Sequence, residues 1–137
     1  MNLLKEENFN TRIKGSSVKL FTLRNANGCI GQLSNYGARW LSMWVPDKEG
    51  NWLDVILGYD HIEAYLTSNE RYHGAIVGRV SGRMSGEGFM LNGVRYSLAN
   101  NDIWGKPSKN HLHGGIDNFS FQVWEADEVE HLPDGES

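Results

Sequence analysis

The pair Asn92-Gly93 constrains this chain more tightly than any other feature. It stands between two runs, Glu87 to Leu91 and Val94 to Leu98, that are too short to be independent helices. Asn-Gly tolerates positive φ at both central positions of a two-residue turn, which is what a tight hairpin needs to match the twist of its strands. A related turn, Arg24-Asn25-Ala26-Asn27-Gly28, separates Val18 to Leu23 from Cys29 to Leu33. After Asn35-Tyr36-Gly37, the stretch Arg39 to Val45 reads as another strand. Pro46 to Gly50 turns the chain, Leu53 to Leu57 follows, and Phe121 to Ala126 is a further candidate strand. Glycine is abundant, at 16 of 137 residues, and helix-length apolar runs are few. The glycine-rich stretch Gly74 to Gly88 could bring backbone close to a ligand, although its plainer reading is bends between strands. One helix is expected: Asp60 at the N-cap and Glu63 three residues later start a short helix that ends near Thr67. Antiparallel β structure follows.

Charge and length narrow the classes. Thirteen basic and 17 acidic residues are mixed along the chain for a net charge of -4. Without a basic block there is no phosphate-backbone footprint, so no nucleic-acid partner is expected. Met1 to Phe9 lacks the apolar core of a signal peptide. No run approaches the roughly 20 apolar residues that cross a bilayer, so no membrane partner is expected either. Cys29 stands alone, which forbids an intrachain disulfide and fits a cytoplasmic location. A chain of 137 residues fits one domain.

Four features could carry chemistry. Asn110-His111-Leu112-His113-Gly114-Gly115 places two imidazoles two residues apart, which on a strand would put both on one face. Two imidazoles fall short of the four ligands a structural metal site generally wants, and no nearby residues complete the set, so no metal is expected. His113 before two glycines better suits a sugar: a neutral imidazole both donates and accepts, and glycine lets a ring approach the backbone. The alternative is a histidine satisfied at a strand end. In Gly78-Arg79-Val80-Ser81-Gly82-Arg83, either arginine could offer a planar fork to vicinal oxygens or pair with a surface carboxylate. The tryptophans at 40, 44, 52, 104 and 124 read mainly as core and sheet-face residues. Scattered carboxylates include Asp54, Asp60 and Glu63. No nucleophile elbow and no phosphate-cradling loop is present.

The order of several short motifs resembles the aldose 1-epimerase family. They are Leu33-Ser34-Asn35-Tyr36-Gly37-Ala38, Val45-Pro46-Asp47-Lys48-Glu49-Gly50, Asp54-Val55-Ile56-Leu57-Gly58-Tyr59-Asp60 and Tyr65-Leu66. Gly74-Ala75-Ile76-Val77-Gly78-Arg79-Val80 and the histidine motif at 110–115 complete the series. The resemblance covers about residues 16–126 and implies an all-β protein, an incomplete antiparallel β-sandwich with residues 1–137 as one partial domain. It further implies interconversion of the α and β anomers of a hexose by acid/base ring opening, without metal or organic cofactor. Carried over by position, Arg83 and His113 are sugar contacts, with Asn110, Gly114 and Gly115 supporting them. The resemblance also implies that the acid histidine and the base glutamate lie beyond Ser137, so the chain alone should be inactive or weakly active. Gly82 stands where the family usually has asparagine, and Asn118-Phe119-Ser120-Phe121 replaces a Gly-aromatic-Asp-Lys pattern. Two other readings stay open: an epimerase acting on a phosphorylated hexose, and a non-catalytic carbohydrate-binding β-sandwich. A sandwich lacking its later strands would expose apolar faces and strand edges, so self-association is expected.

Overall fold

The computed structural model describes residues 1–104 and 109–136. Two compact units emerge, one comprising Met1–Ile76 and the chain from Val123 onward, the other lying between Val77 and Gln122. All named strand pairings are antiparallel, and one α-helix accompanies them, as the turn chemistry predicts.

In the first unit the chain opens with a 3₁₀ turn, Glu6–Asn8, and a hairpin of β1 (Thr11–Ile13) and β2 (Ser16–Val18). A four-stranded sheet follows in the order β3 (Leu20–Arg24), β4 (Ile30–Ser34), β5 (Arg39–Pro46), β6 (Trp52–Asp54). Strand β4 is central and largely buried. Opposite its Gln32-Leu33 step the register shifts, so Leu41 is an extra residue on β5 and points into the core with Val18, Leu20 and Ile30. That core also contains buried amides. The side chain of Gln32 accepts the N–H of Leu4 at 2.8 Å and donates to the Leu4 carbonyl at 3.1 Å. Asn35 accepts the N–H of Lys19 at 2.8 Å and donates to the carbonyls of Ser17 and Trp124. Each amide thereby serves main-chain groups of segments outside the four-stranded sheet, which matters because a buried unpaired peptide group is costly.

Arg39 opens β5 and is 0 % exposed. Its Nη1 donates to the carbonyls of Arg71 and His73, its Nε donates to that of Tyr36, and its guanidinium lies 4.6 Å from the centre of the Tyr65 ring and 5.4 Å from that of Tyr36. Burial pulls its pKa below the ordinary arginine value, while the two tyrosines oppose that shift. The residue thus ties the segment after helix α1 (Ile62–Thr67) back to the sheet.

Three local expectations change. The strand predicted over Leu53 to Leu57 ends at Asp54, because its carboxylate takes the N–H groups of Met43 and Ile56 and turns the chain out of the ladder. The helix begins after His61, not after an Asp60 cap; the Asp60 carboxylate bonds the neighbouring His61 ring instead. The strand predicted over Phe121 to Ala126 is a 3₁₀ turn, Phe119–Phe121, followed by a single bridge from Val123 to Tyr36. Asn118 caps that turn by accepting the Ser120 N–H, so extended pairing cannot start where the apolar run suggests. At the end of the described chain β11 (His131–Leu132) and β12 (Gly135–Glu136) form a small hairpin, with Gly135 bridged to Asn25. Trp40 on β5 and Trp124 just after the Val123 bridge are exposed, whereas the Trp44 indole N–H is buried with no acceptor among the described residues.

Replacing Arg39 by alanine removes a fully buried side chain and strips partners from carbonyls inside the fold. Urea unfolding is expected to show a loss of about 2–5 kcal/mol.

Candidate functional site

The second unit holds all the residues singled out for sugar contact. Strand β7 (Arg83–Ser85) pairs with β10 (Asn110–Leu112), placing Arg83 opposite Leu112 and Met84 opposite His111. The predicted Asn92-Gly93 hairpin is present as β8 (Gly88–Leu91) and β9 (Val94–Ser97), with φ of 49° and 78° at the two turn residues. A loop dipeptide covers the edge of β10 that β7 leaves open. The Asn101 amide accepts the Leu112 N–H and donates to the Leu112 carbonyl, both at 2.8 Å, and the Asn110 carbonyl accepts the N–H groups of Asn101 and Asp102.

Asp102 then organises the polar end of the ladder. It is 0 % exposed, and its carboxylate accepts from Arg83 Nε at 2.6 Å, from Asn110 Nδ2 at 3.1 Å and from the Trp104 N–H at 3.1 Å. Arg83 is 52 % exposed, so its guanidinium is anchored on one edge and open to solvent on another. The hydrogen bond and charge of Asp102 push the Arg83 pKa above the usual arginine value, which keeps the group a permanent cation and donor.

Leu112 is the last residue of β10, and His113 turns left-handed with φ of 54°. The alternation of a strand therefore stops between the two histidines, and the expectation that both rings share a face does not hold. The His111 ring is buried and its Nδ1 meets the Ala99 carbonyl at 3.0 Å. The His113 N–H donates to the Gly82 carbonyl, and its Nδ1 accepts the Gly82 N–H at 3.2 Å. An acceptor role for Nδ1 places the proton of the neutral His113 ring on Nε2, making that nitrogen a donor. The two glycines that follow serve the fold itself. A Cβ on Gly114 would sit 2.0 Å from the Gly78 carbonyl oxygen, and one on Gly115 would sit 2.7 Å from the His111 ring. Their small size admits the protein's own backbone and imidazole, where the sequence suggested room for a ligand.

Arg83 and His113 thus come from directly adjoining backbone, through the 82–113 contact, with Asn110 tied to Arg83 by a shared carboxylate. Arg79 goes elsewhere: its guanidinium lies 5.3 Å from the Phe119 ring, on a hollow of ≈ 550 Å³ that His111, Asn118 and Gln122 also line. Arg83 and His113 lie outside that lining. Among the described residues no group of three His, Cys, Asp or Glu side chains is placed to hold a metal ion.

A sequence profile described as aldose 1-epimerase matches residues 19–137. The chain belongs to the aldose 1-epimerase family. Its relatives include the galactose mutarotase of Bos taurus, 38% identical over 90 residues, which span 66% of this chain and 25% of that protein. The aldose 1-epimerase of Haemophilus influenzae is 35% identical over 126 residues, spanning 92% of this chain and 34% of the relative. Among solved structures, an aldose epimerase homologue from C. elegans superposes with a TM-score of 0.70 at 27% identity, covering 85% of this chain and 33% of that one. This member of the family therefore spans about a quarter to a third of the length of these relatives, and it shares their β-rich fold.

Sequence reasoning missed Asn101 and Asp102. The available signal was a run of polar residues, Asn100-Asn101-Asp102, between an apolar hairpin and the histidine motif, where a loop that had to cover a strand edge would need such groups. Two substitutions separate crowding from backbone preference. Gly114→Ala should cost about 2–3 kcal/mol and strip hydrogen-exchange protection from β7 and β10, because the new Cβ meets backbone. Gly82→Asn should stay within about 1 kcal/mol, since open space surrounds that Cβ and asparagine tolerates left-handed backbone.

Proposed function

We propose that this chain supplies the Arg83 and His113 portion of a monosaccharide site in an aldose 1-epimerase that interconverts the α and β anomers of a free hexose. The reaction needs a base to take the proton from the anomeric hydroxyl and an acid to deliver one to the ring oxygen. The C1–O5 bond then breaks, the aldehyde end rotates, and closure from the opposite face reverses both proton transfers. A well-placed acid or base contributes about 10²–10⁴-fold. In this reading His113 presents Nε2–H toward the ring oxygen, and Arg83 offers its outer N–H groups to neighbouring hydroxyls. Both the acid and the base come from the portion of the family fold that this chain does not span, and Arg83 and His113 serve as substrate contacts.

The observation that carries the reading is the contact between the Gly82 N–H and His113 Nδ1, next to an arginine gripped by Asp102. It leaves two polar side chains oriented by the fold on adjoining backbone, with the outer N–H groups of the half-exposed Arg83 open to solvent. Family membership supports the reaction class. In polarimetry from pure α-glucose or α-galactose any acceleration over buffer should be small, and His113→Ala or Arg83→Ala should abolish it. Sugar-induced NMR shifts without acceleration would instead indicate carbohydrate binding without turnover. A chain that shows neither acceleration nor sugar-induced shifts would count against the reading.

Self-association belongs to the same proposal. Phe21, Leu33, Trp40, Ile76 and Trp124 line an apolar groove of ≈ 410 Å³ in the first unit, and contiguous apolar surface of this kind favours association. Light scattering is expected to give a mass above 15.5 kDa that grows with concentration; a monomer at every concentration would contradict it.

A further inference from the structure

Asp102 is a fully buried carboxylate on a loop, and the arginine that it holds is half exposed. Burying a carboxylate is costly unless charged or hydrogen-bonding partners surround it. Among the described residues its partners include Arg83 on β7, Asn110 on β10 and the Trp104 N–H on the loop itself. The arginine is gripped side-on. Nε donates to Oδ2 at 2.6 Å and Nη2 leans toward Oδ1 at 3.4 Å, so the two carboxylate oxygens define the plane of the guanidinium. That leaves the fork formed by Nη1 and the outer N–H of Nη2 directed away from Asp102. The atom that receives Arg83 Nε also receives Asn110 Nδ2, which locks the arginine to the first residue of the histidine motif.

We propose that Asp102 is a positioning residue for the sugar site: it sets the orientation of the Arg83 fork relative to His113, and it acts on the sugar only through Arg83. This rests on the hexose reading given above. A bare arginine on a three-residue strand would sample many rotamers and lose entropy on each binding event, whereas the buried carboxylate settles that orientation before the ligand arrives. A plain structural ion pair would have no such link to ligand affinity.

The test is a double-mutant cycle read by NMR titration of the 137-residue chain with glucose and galactose, using the wild type, Asp102→Asn, Arg83→Ala and the double variant. Asp102→Asn is expected to weaken hexose binding about tenfold or more. In the Arg83→Ala background the same change should alter affinity by no more than about twofold. Additive losses, or a hexose affinity that Asp102→Asn leaves unchanged, would overturn the proposal. If Asp102→Asn does not fold, the wild type still decides the matter through the Arg83 Nε–H resonance. The proposal expects a slowly exchanging signal that moves when hexose is added; rapid exchange, or indifference to bound hexose, overturns it. A wild type that binds no hexose while keeping a protected Nε–H removes the sugar reading and the positioning role together. Binding that survives Asp102→Asn removes only the latter.

Discussion

A primary amide side chain offers a donor and an acceptor at nearly the spacing of a peptide group, and this chain depends on that equivalence. Gln32 answers both main-chain groups of Leu4, Asn35 answers Lys19, Ser17 and Trp124, and Asn101 answers both groups of Leu112. In each case the segment served lacks a full ladder partner on that side. Short strands leave many peptide groups at their edges, and each buried one must find a partner. Without these amides the N-terminal segment, the returning chain at Trp124 and the outer edge of β10 would each contain unsatisfied backbone.

Two buried charged side chains extend the same economy of connection. Arg39 gathers carbonyls from Tyr36, Arg71 and His73 between two tyrosine rings, so the loop after the helix is pinned by a cation with delocalised charge. Asp102 does the converse in the other unit, collecting N–H donors from β7, β10 and its own loop. Both act as junctions where a single small group replaces what would otherwise need further strands. The chemistry of the candidate site follows from the second junction, since the arginine offered to solvent is the one whose opposite edge is already committed.

Membership of the aldose 1-epimerase family gives these junctions a context. His113 is held in a left-handed turn whose Nδ1 is occupied by backbone, so its neutral ring has one tautomer. Gly114 and Gly115 make that turn possible by admitting the Gly78 carbonyl and the His111 ring. His111, two residues away in sequence, faces Ala99 and the hollow beside Arg79, and so takes no part in the grouping that contains Arg83.

Much of the fold was legible in the residue order, for a local reason. Asn92-Gly93 and the Arg24 to Gly28 turn impose their hairpins through φ preferences of the turn residues themselves, and Arg39 to Val45 reads as a strand from its own composition. The short helix was legible too, although not its first residue. The misreadings share a cause: Asp54, Asp60 and Asn118 spend their side chains on neighbouring groups, and such short-range competition stops a strand or shifts a cap without altering the apolar pattern. Arg83 and His113 were marked as sugar contacts by motif resemblance, with nothing local to distinguish Arg83 from Arg79. Only the tertiary structure separates them, because a buried carboxylate 19 residues along the chain meets one arginine while an aromatic ring meets the other. Turn geometry is a property of adjacent residues, and the sequence states it directly; the orientation of a charged side chain is decided by what burial brings beside it, which no local pattern records.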